Sequence, residues 1–380
     1  MKNILILILL INLSSCSLDS NSEKTNSKNE KIDNVSNSII DVKINKNLET
    51  LGIIFALGME DYFEYDETLN KKAHLLKYIL NSFRDFKNHP AVLKAKFLAE
   101  NDIMYMTNAQ IGLKFTDLPD FKNIEDLELS VYYTKEEQVH INEFIKLVPS
   151  FYKDAQIDSF LIANSDLYDR IIQEAKQSLP DIEKIRTLEE FHGIKMNSYT
   201  LIPSPSIPNY YNYGVRMRSD NYYNVYYLFG PTKDIEIDST LVLPKDLGFR
   251  NKKYIEEVCI HEFGHSFVRF LDKPENQELV KSISFLNTDS LKEGQERYGD
   301  WSIIFEEHIV RAIEIKVAEL NSDTVLMNAL YESNVNEKKF LYIPDLLNIF
   351  SDYENEREKY NTFEVFFPEL IKRMKDVDPK

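Results

Sequence analysis

With 380 residues, 43% of them hydrophobic and 12% aromatic, the chain can bury a large core, which excludes a disordered protein. Its 62 acidic against 45 basic residues leave a net charge of −17 with no evident cluster of cations, which argues against a phosphate-binding surface and so against a nucleic-acid partner. Cysteines number two, Cys16 and Cys259, so packing rather than disulfides must hold the fold.

The N-terminus combines Lys2, an apolar run from Ile4 to Leu13 too short for a comfortable membrane span, and then Leu13-Ser14-Ser15-Cys16. This run resembles a bacterial lipobox. The resemblance implies a signal peptide over 1–15 and acylation of Cys16, making the mature protein exported and lipid-anchored to a bacterial membrane, periplasmic or surface-facing. Residues 16–45 are polar and mixed in charge, the composition of a flexible tether.

From Asn47 to about Lys122 apolar residues recur at helical spacing: Leu48, Leu51, Ile54 and Phe55, then Leu75, Leu76, Ile79 and Phe83, then Val92, Phe97 and Leu98. The pattern continues through Phe144, Val148, Phe151 and Ile171, with Pro180 interrupting it. A helical N-terminal part over 46–195 is expected, followed by a second part over 196–380. Near Phe191 the texture changes, and the alternation of tyrosines, valine and polar residues between Asn209 and Leu228 predicts strands. The run Tyr210-Tyr211-Asn212-Tyr213-Gly214-Val215 reads equally as a substrate-binding edge strand or as a half-buried strand with a wet tyrosine face. Leu241-Val242-Leu243 is a further short strand candidate.

Lys253 to Leu271 reads as a helix carrying His261-Glu262-Phe263-Gly264-His265. Two histidines four residues apart share one helix face and can share a metal, while Glu262 can reach a water beside it. Cys259 falls on another face and reads as a buried structural thiol. A side chain in place of Gly264 would crowd whatever packs across the helix. Residues 275–300 read as a polar flap or a connecting loop.

A catalytic zinc takes three protein ligands and keeps one position open. The metzincin pattern is excluded, because Val268 and Leu271 stand where it needs Gly and His, and Gln295 stands where an aspartate-ligand variety needs Asp. A glutamate on the helix from Ser302 to Leu320 remains. There Glu306-Glu307-His308-Ile309-Val310-Arg311 resembles the downstream glutamate helix of the gluzincins, the thermolysin-like metallopeptidases, and the resemblance points to Glu307. The apolar stripe of that helix centres nearer Glu306, which stays open as the alternative. Arg311 stands where the family has Asp. The blocks around 261–267 and 307–312, together with Asn212-Tyr213-Gly214, also resemble those of a bacterial family of domain-of-unknown-function type.

The expected fold is α+β and predominantly helical. The expected function is a membrane-tethered zinc metallopeptidase that hydrolyses peptide or protein substrates with metal-activated water. His261, His265 and Glu307 would hold Zn²⁺, and Glu262 would act as the base. Tyr298 and Arg311 are catalytic candidates as oxyanion donors, with His308 and Tyr213 behind them. The alternative is a non-enzymatic surface lipoprotein that binds a protein or glycan, its metal site structural.

Overall fold

A computed structural model describes residues 40–61, 74–101, 103, 107–127, 129–219, 222–234, 242–289, 291 and 299–380. Cys16, the tether and Tyr298 lie outside these residues. The fold is α+β and predominantly helical, with one 4-stranded sheet among the described residues. No helix there is long and apolar enough to cross a membrane.

The chain enters through β1 (Ile40–Val42) and turns into α1 (Lys46–Gly58), where the Asn45 side chain accepts from the Leu48 amide and caps the first turn. Leu48, Leu51, Ile54 and Phe55 of α1 are buried, as their spacing predicts. α2 (Pro90–Glu100) buries Val92 and Leu98. Phe97 departs from the expected stripe: it is 38% exposed and lies edge-on to His140 with Lys94 over its ring, because the helix buries the face carrying Ala91, Val92, Ala95 and Leu98. α3 (Lys135–Asp154) opens on a capping box in which Thr134 and Glu137 satisfy each other's backbone amides. α4 (Ser165–Lys176) and α5 (Ile182–His192) follow on either side of Pro180.

The sheet is ordered β1, β2 (Ser198–Pro203), β4 (Tyr222–Phe229), β3 (Asn212–Ser219). β1 and β2 are parallel, β2 and β4 are parallel, and β3 runs antiparallel to β4 with Gly214 opposite Tyr227. Asn212–Val215 of the Tyr-rich stretch therefore lie in a strand at the edge of the sheet among the described residues, with Tyr210 and Tyr211 ahead of it. Side chains alternate across the sheet. Tyr199, Leu201, Val225, Tyr227 and Phe229 join the main core, whereas Ile202, Val215, Met217 and Leu228 pack with Leu48, Ala109 and Leu113 on the other face. Val242 and Leu243 form no strand: Val242 is 68% exposed and so lacks a face to bury, and Leu241 lies outside the described residues.

α6 (Lys252–Phe267) packs on the sheet and against α7 (Trp301–Leu320). Every residue of α6 from Cys259 to Phe267 is buried, and every residue of α7 from Glu307 to Ala318. A helix buried all round must satisfy its charged groups internally, and α7 carries several. Lys316, for example, pairs with Glu319 at 2.8 Å and Glu354 at 2.5 Å. α7 is surrounded by α5, α6, α8 (Thr324–Tyr331) and α9 (Ile343–Asn355), with α10 (Phe363–Met374) closing the chain. The expected flap contains the helix Pro274–Lys281 and a turn at Ser284–Leu286, while residues 290 and 292–298 lie outside the described set.

One buried acid in the first turn of α1 gives a pH prediction. Glu49 is fully buried, and burial pushes its carboxyl up to about 7 despite bonds from Ser204, Tyr168 and Ser206. Between pH 4.5 and 7 the folded state then binds more protons than the unfolded one, so stability falls as pH rises through that window. Converted at 1.36 kcal/mol per pH unit, the loss is about 3 kcal/mol. Glu49→Gln is expected to remove this slope, leaving the variant the more stable protein at pH 8. Urea unfolding of both proteins across the window checks it, and parallel curves would refute it.

Candidate metal centre

Two helices build the site. Asn251 caps α6 by accepting the Tyr254 amide, and the helix then presents His261 and His265 toward α7. Gly264 lets the helices approach, since a Cβ there would lie 3.0 Å from a Val310 methyl. The imidazoles turn their Nε2 atoms together, 3.2 Å apart. Glu307 closes the triangle from α7, with Oε1 at 3.5 Å from Nε2 of His265 and Oε2 at 3.8 Å from Nε2 of His261. All three residues are buried, and their ligand atoms lie within 4.8 Å of one another.

Each imidazole is braced from behind by a carboxylate of α7. Nδ1 of His261 lies 3.2 Å from Glu314, and Nδ1 of His265 lies 2.9 Å from Glu306. A carboxylate that accepts the Nδ1–H holds the ring proton on Nδ1 and leaves Nε2 as the atom turned to the centre. Glu306 thus braces a histidine, and Glu307 completes the triangle. Burial alone would lower the pKa of His265, but Glu306 and Glu307 overcome it and push the ring up to about 10. For Glu307, burial raises the carboxyl, yet Arg311 and both imidazoles outweigh it and hold it well below the usual carboxylate range.

Glu262 sits on the β3 side of α6. Its Oε2 accepts the Gly214 amide at 2.9 Å, and its Oε1 is buried with no hydrogen-bond partner among the described residues. Burial raises its pKa, the two histidines and the Gly214 amide opposing and Glu307 adding to the rise. Gly214 is required by this approach: a Cβ would lie 2.8 Å from the Glu262 carbonyl oxygen and 3.0 Å from Oε2. Two residues on, Arg216 donates to the Ser266 carbonyl at 2.8 Å and stacks on Tyr223, pinning the strand to the end of α6.

The other candidates are placed differently. Arg311 sets Nη2 at 2.9 Å from Oε2 of Glu307, donates Nη1 to Asn334 and stacks on Phe340. That is the position of a brace on the third carboxylate rather than of a donor facing a substrate carbonyl. His308 is fully buried, donates Nδ1–H to the Ile304 carbonyl and packs against Phe340 and Tyr342; burial pushes it down to about 4. Neither a surface histidine nor an oxyanion donor fits that environment. Tyr213 packs with the cluster on the sheet face opposite Glu262. Tyr298 lies outside the described residues, and Cys259 is a buried free thiol.

A family model described as Domain of unknown function (DUF4932) matches residues 40–373. The chain belongs to that family. No curated protein and no solved structure matches it. The matched segment runs from β1 to α10, so all the residues of the centre in this DUF4932 member fall inside it.

The centre fits a divalent cation by its donor chemistry. Tetrahedral ligands at about 2.0–2.1 Å stand about 3.3 Å apart; the two Nε2 atoms are 3.2 Å apart, and the Glu307 carboxylate approaches each ring with a different oxygen, at 3.5 and 3.8 Å. Four carboxylates, Glu262, Glu306, Glu307 and Glu314, converge on two imidazoles with Arg311 as the guanidinium among them, an imbalance that favours a cation. One of the two bracing carboxylates left a trace in the sequence: Glu314 stands at i+7 from Glu307, with Arg311 at i+4 between them on one line of the helix. Asn334 left none, since it reaches Arg311 from 23 positions away.

Proposed function

We propose that this protein is a zinc-dependent, gluzincin-like metallopeptidase, tethered to a bacterial membrane by a lipid on Cys16. One observation carries the catalytic part: His261, His265 and Glu307 converge beside a buried Glu262 whose Oε1 is unpaired among the described residues. A purely structural centre has no use for a base in that place. Bound zinc supplies Lewis-acid polarisation of a carbonyl and lowers the pKa of water toward about 7.

The protein's own groups do the rest. Glu314 and Glu306 hold the two imidazoles in one tautomer, and Arg311 keeps Glu307 ionised. Gly214 fixes one oxygen of Glu262, so the other is the oxygen that takes the proton from water and returns it to the leaving amine. β3, an edge strand beside α6, suits an extended peptide laid antiparallel along it.

The test is metal content and peptide hydrolysis of the purified full chain beside Glu262→Gln. The wild type is expected to carry about one zinc per chain, and the variant to keep it while losing about 10²- to 10⁴-fold in kcat. Hydrolysis indifferent to the substitution ends the enzyme reading. Zinc without any hydrolysis leaves the binding lipoprotein in its place.

A further inference from the structure

We propose that Asn334 is a positioning residue for the third metal ligand, acting through Arg311, and that the π-helical turn carrying it exists to set Glu307. This rests on the reading that His261, His265 and Glu307 hold a metal.

Glu307 comes from a different helix than the two histidines, so its place depends on what fixes its side chain across the α6–α7 gap. Arg311, one turn further along α7, touches Oε2 at 2.9 Å. An arginine is long and rotamer-rich, and it orients a carboxylate only if its own head is fixed. Asn334 Oδ1 accepts Nη1 at 3.2 Å, and the Phe340 ring lies 4.6 Å beneath the guanidinium. Asn334 is itself locked: it is 1% exposed, its carbonyl accepts the Phe340 amide at 2.9 Å, and Lys338 Nζ lies 3.4 Å from Oδ1.

The turn that delivers it is unusual. Residues Glu332–Glu337 form a π-helical turn, a rare conformation that occurs frequently at functional sites. α8 packs only half-buried side chains against the core, Met327 and Leu330 among them, and Val335 of the turn is packed in the same way. Within the turn the buried residue is Asn334, and it is polar. A buried amide with its oxygen on the arginine that grips a ligand is what the turn provides.

The test is competition for Zn²⁺ between the purified full chain and a chromophoric chelator, with thermal melts in chelator to confirm folding. Asn334→Ala is expected to weaken Zn²⁺ binding about 10- to 100-fold, the usual cost of losing an outer support of a metal ligand. Asn334→Asp, which keeps an oxygen for Nη1, is expected to stay within about 3-fold of wild type on the same scale. Val335→Ala, on the same turn, is expected to bind like wild type. If Asn334→Ala fails to fold, Asn334→Ser, whose hydroxyl is too short to reach Nη1, carries the same expectation. Wild-type binding with undiminished binding by the alanine or serine variant overturns this inference alone, as does a Val335→Ala loss of equal size. A wild type that takes up no Zn²⁺ overturns the metal reading and this inference with it.

Discussion

Replacing Glu307 by glutamine is expected to abolish stable metal uptake and, independently, to destabilise the metal-free chain. The first effect follows from removing the anionic corner of the His261, His265, Glu307 triangle. The second follows from Arg311. Glu307 is 1% exposed at its side chain and Arg311 10%, so glutamine leaves a guanidinium buried beside a neutral amide. Breaking a buried pair from one side costs about 3–5 kcal/mol. Unfolding in urea with chelator present isolates that cost, and the same measurement with saturating zinc adds the ligand's own stabilisation for the wild type alone, about 4 kcal/mol at a thousandfold excess over Kd. Glu306→Gln supplies the contrast: it removes a brace on His265 and is expected to weaken binding about 10- to 100-fold without abolishing it. Retention of zinc by the 307 variant together with loss by the 306 variant would reverse the assignment of ligand and brace.

Placing a methyl group at position 214 is expected to lower kcat about 100-fold while leaving zinc content unchanged. The added Cβ has nowhere to go: the Glu262 carbonyl oxygen at 2.8 Å, its Oε2 at 3.0 Å and its Cβ at 3.1 Å surround the site. Either β3 retreats from α6 or the Glu262 carboxylate turns, and a displacement of about 1 Å at a catalytic group costs about 10²-fold. The three atoms nearest the added Cβ all belong to Glu262, so the strain falls first on the base and not on the ligands. Steady-state kinetics beside metal analysis checks it. Full activity in Gly214→Ala would mean that the clamp on Oε2 is irrelevant to turnover.

The centre was largely legible in the sequence because its information is local. Histidines at i and i+4 face one way on any helix, so His261 and His265 needed only a helix to meet, and the resemblance of Glu306–Arg311 to a glutamate helix picked out Glu307. The strand was legible for a similar reason, since alternation between Asn209 and Leu228 has period two, but its place at the edge of the sheet was not. What could not be read is what tertiary packing decides. Whether Arg311 faces a substrate or Glu307, and whether His308 is wet or buried, depends on which neighbours surround α7. Asn334 is a polar residue in a polar stretch until the π turn brings it to Arg311. Phe97 and Val242 show the converse, apolar residues whose spacing suggested a buried element and which the fold leaves at the surface.

The strand order β1-β2-β4-β3 also separates two ends of the protein's business. The chain enters at one margin of the sheet, and the Gly214–Glu262 contact sits at the opposite margin, about 14 Å away at the ordinary spacing between strands. β2 and β4 thus stand between Ile40–Val42 and the strand whose Gly214 amide holds Glu262, so a change in β1 reaches that contact only through two intervening strands.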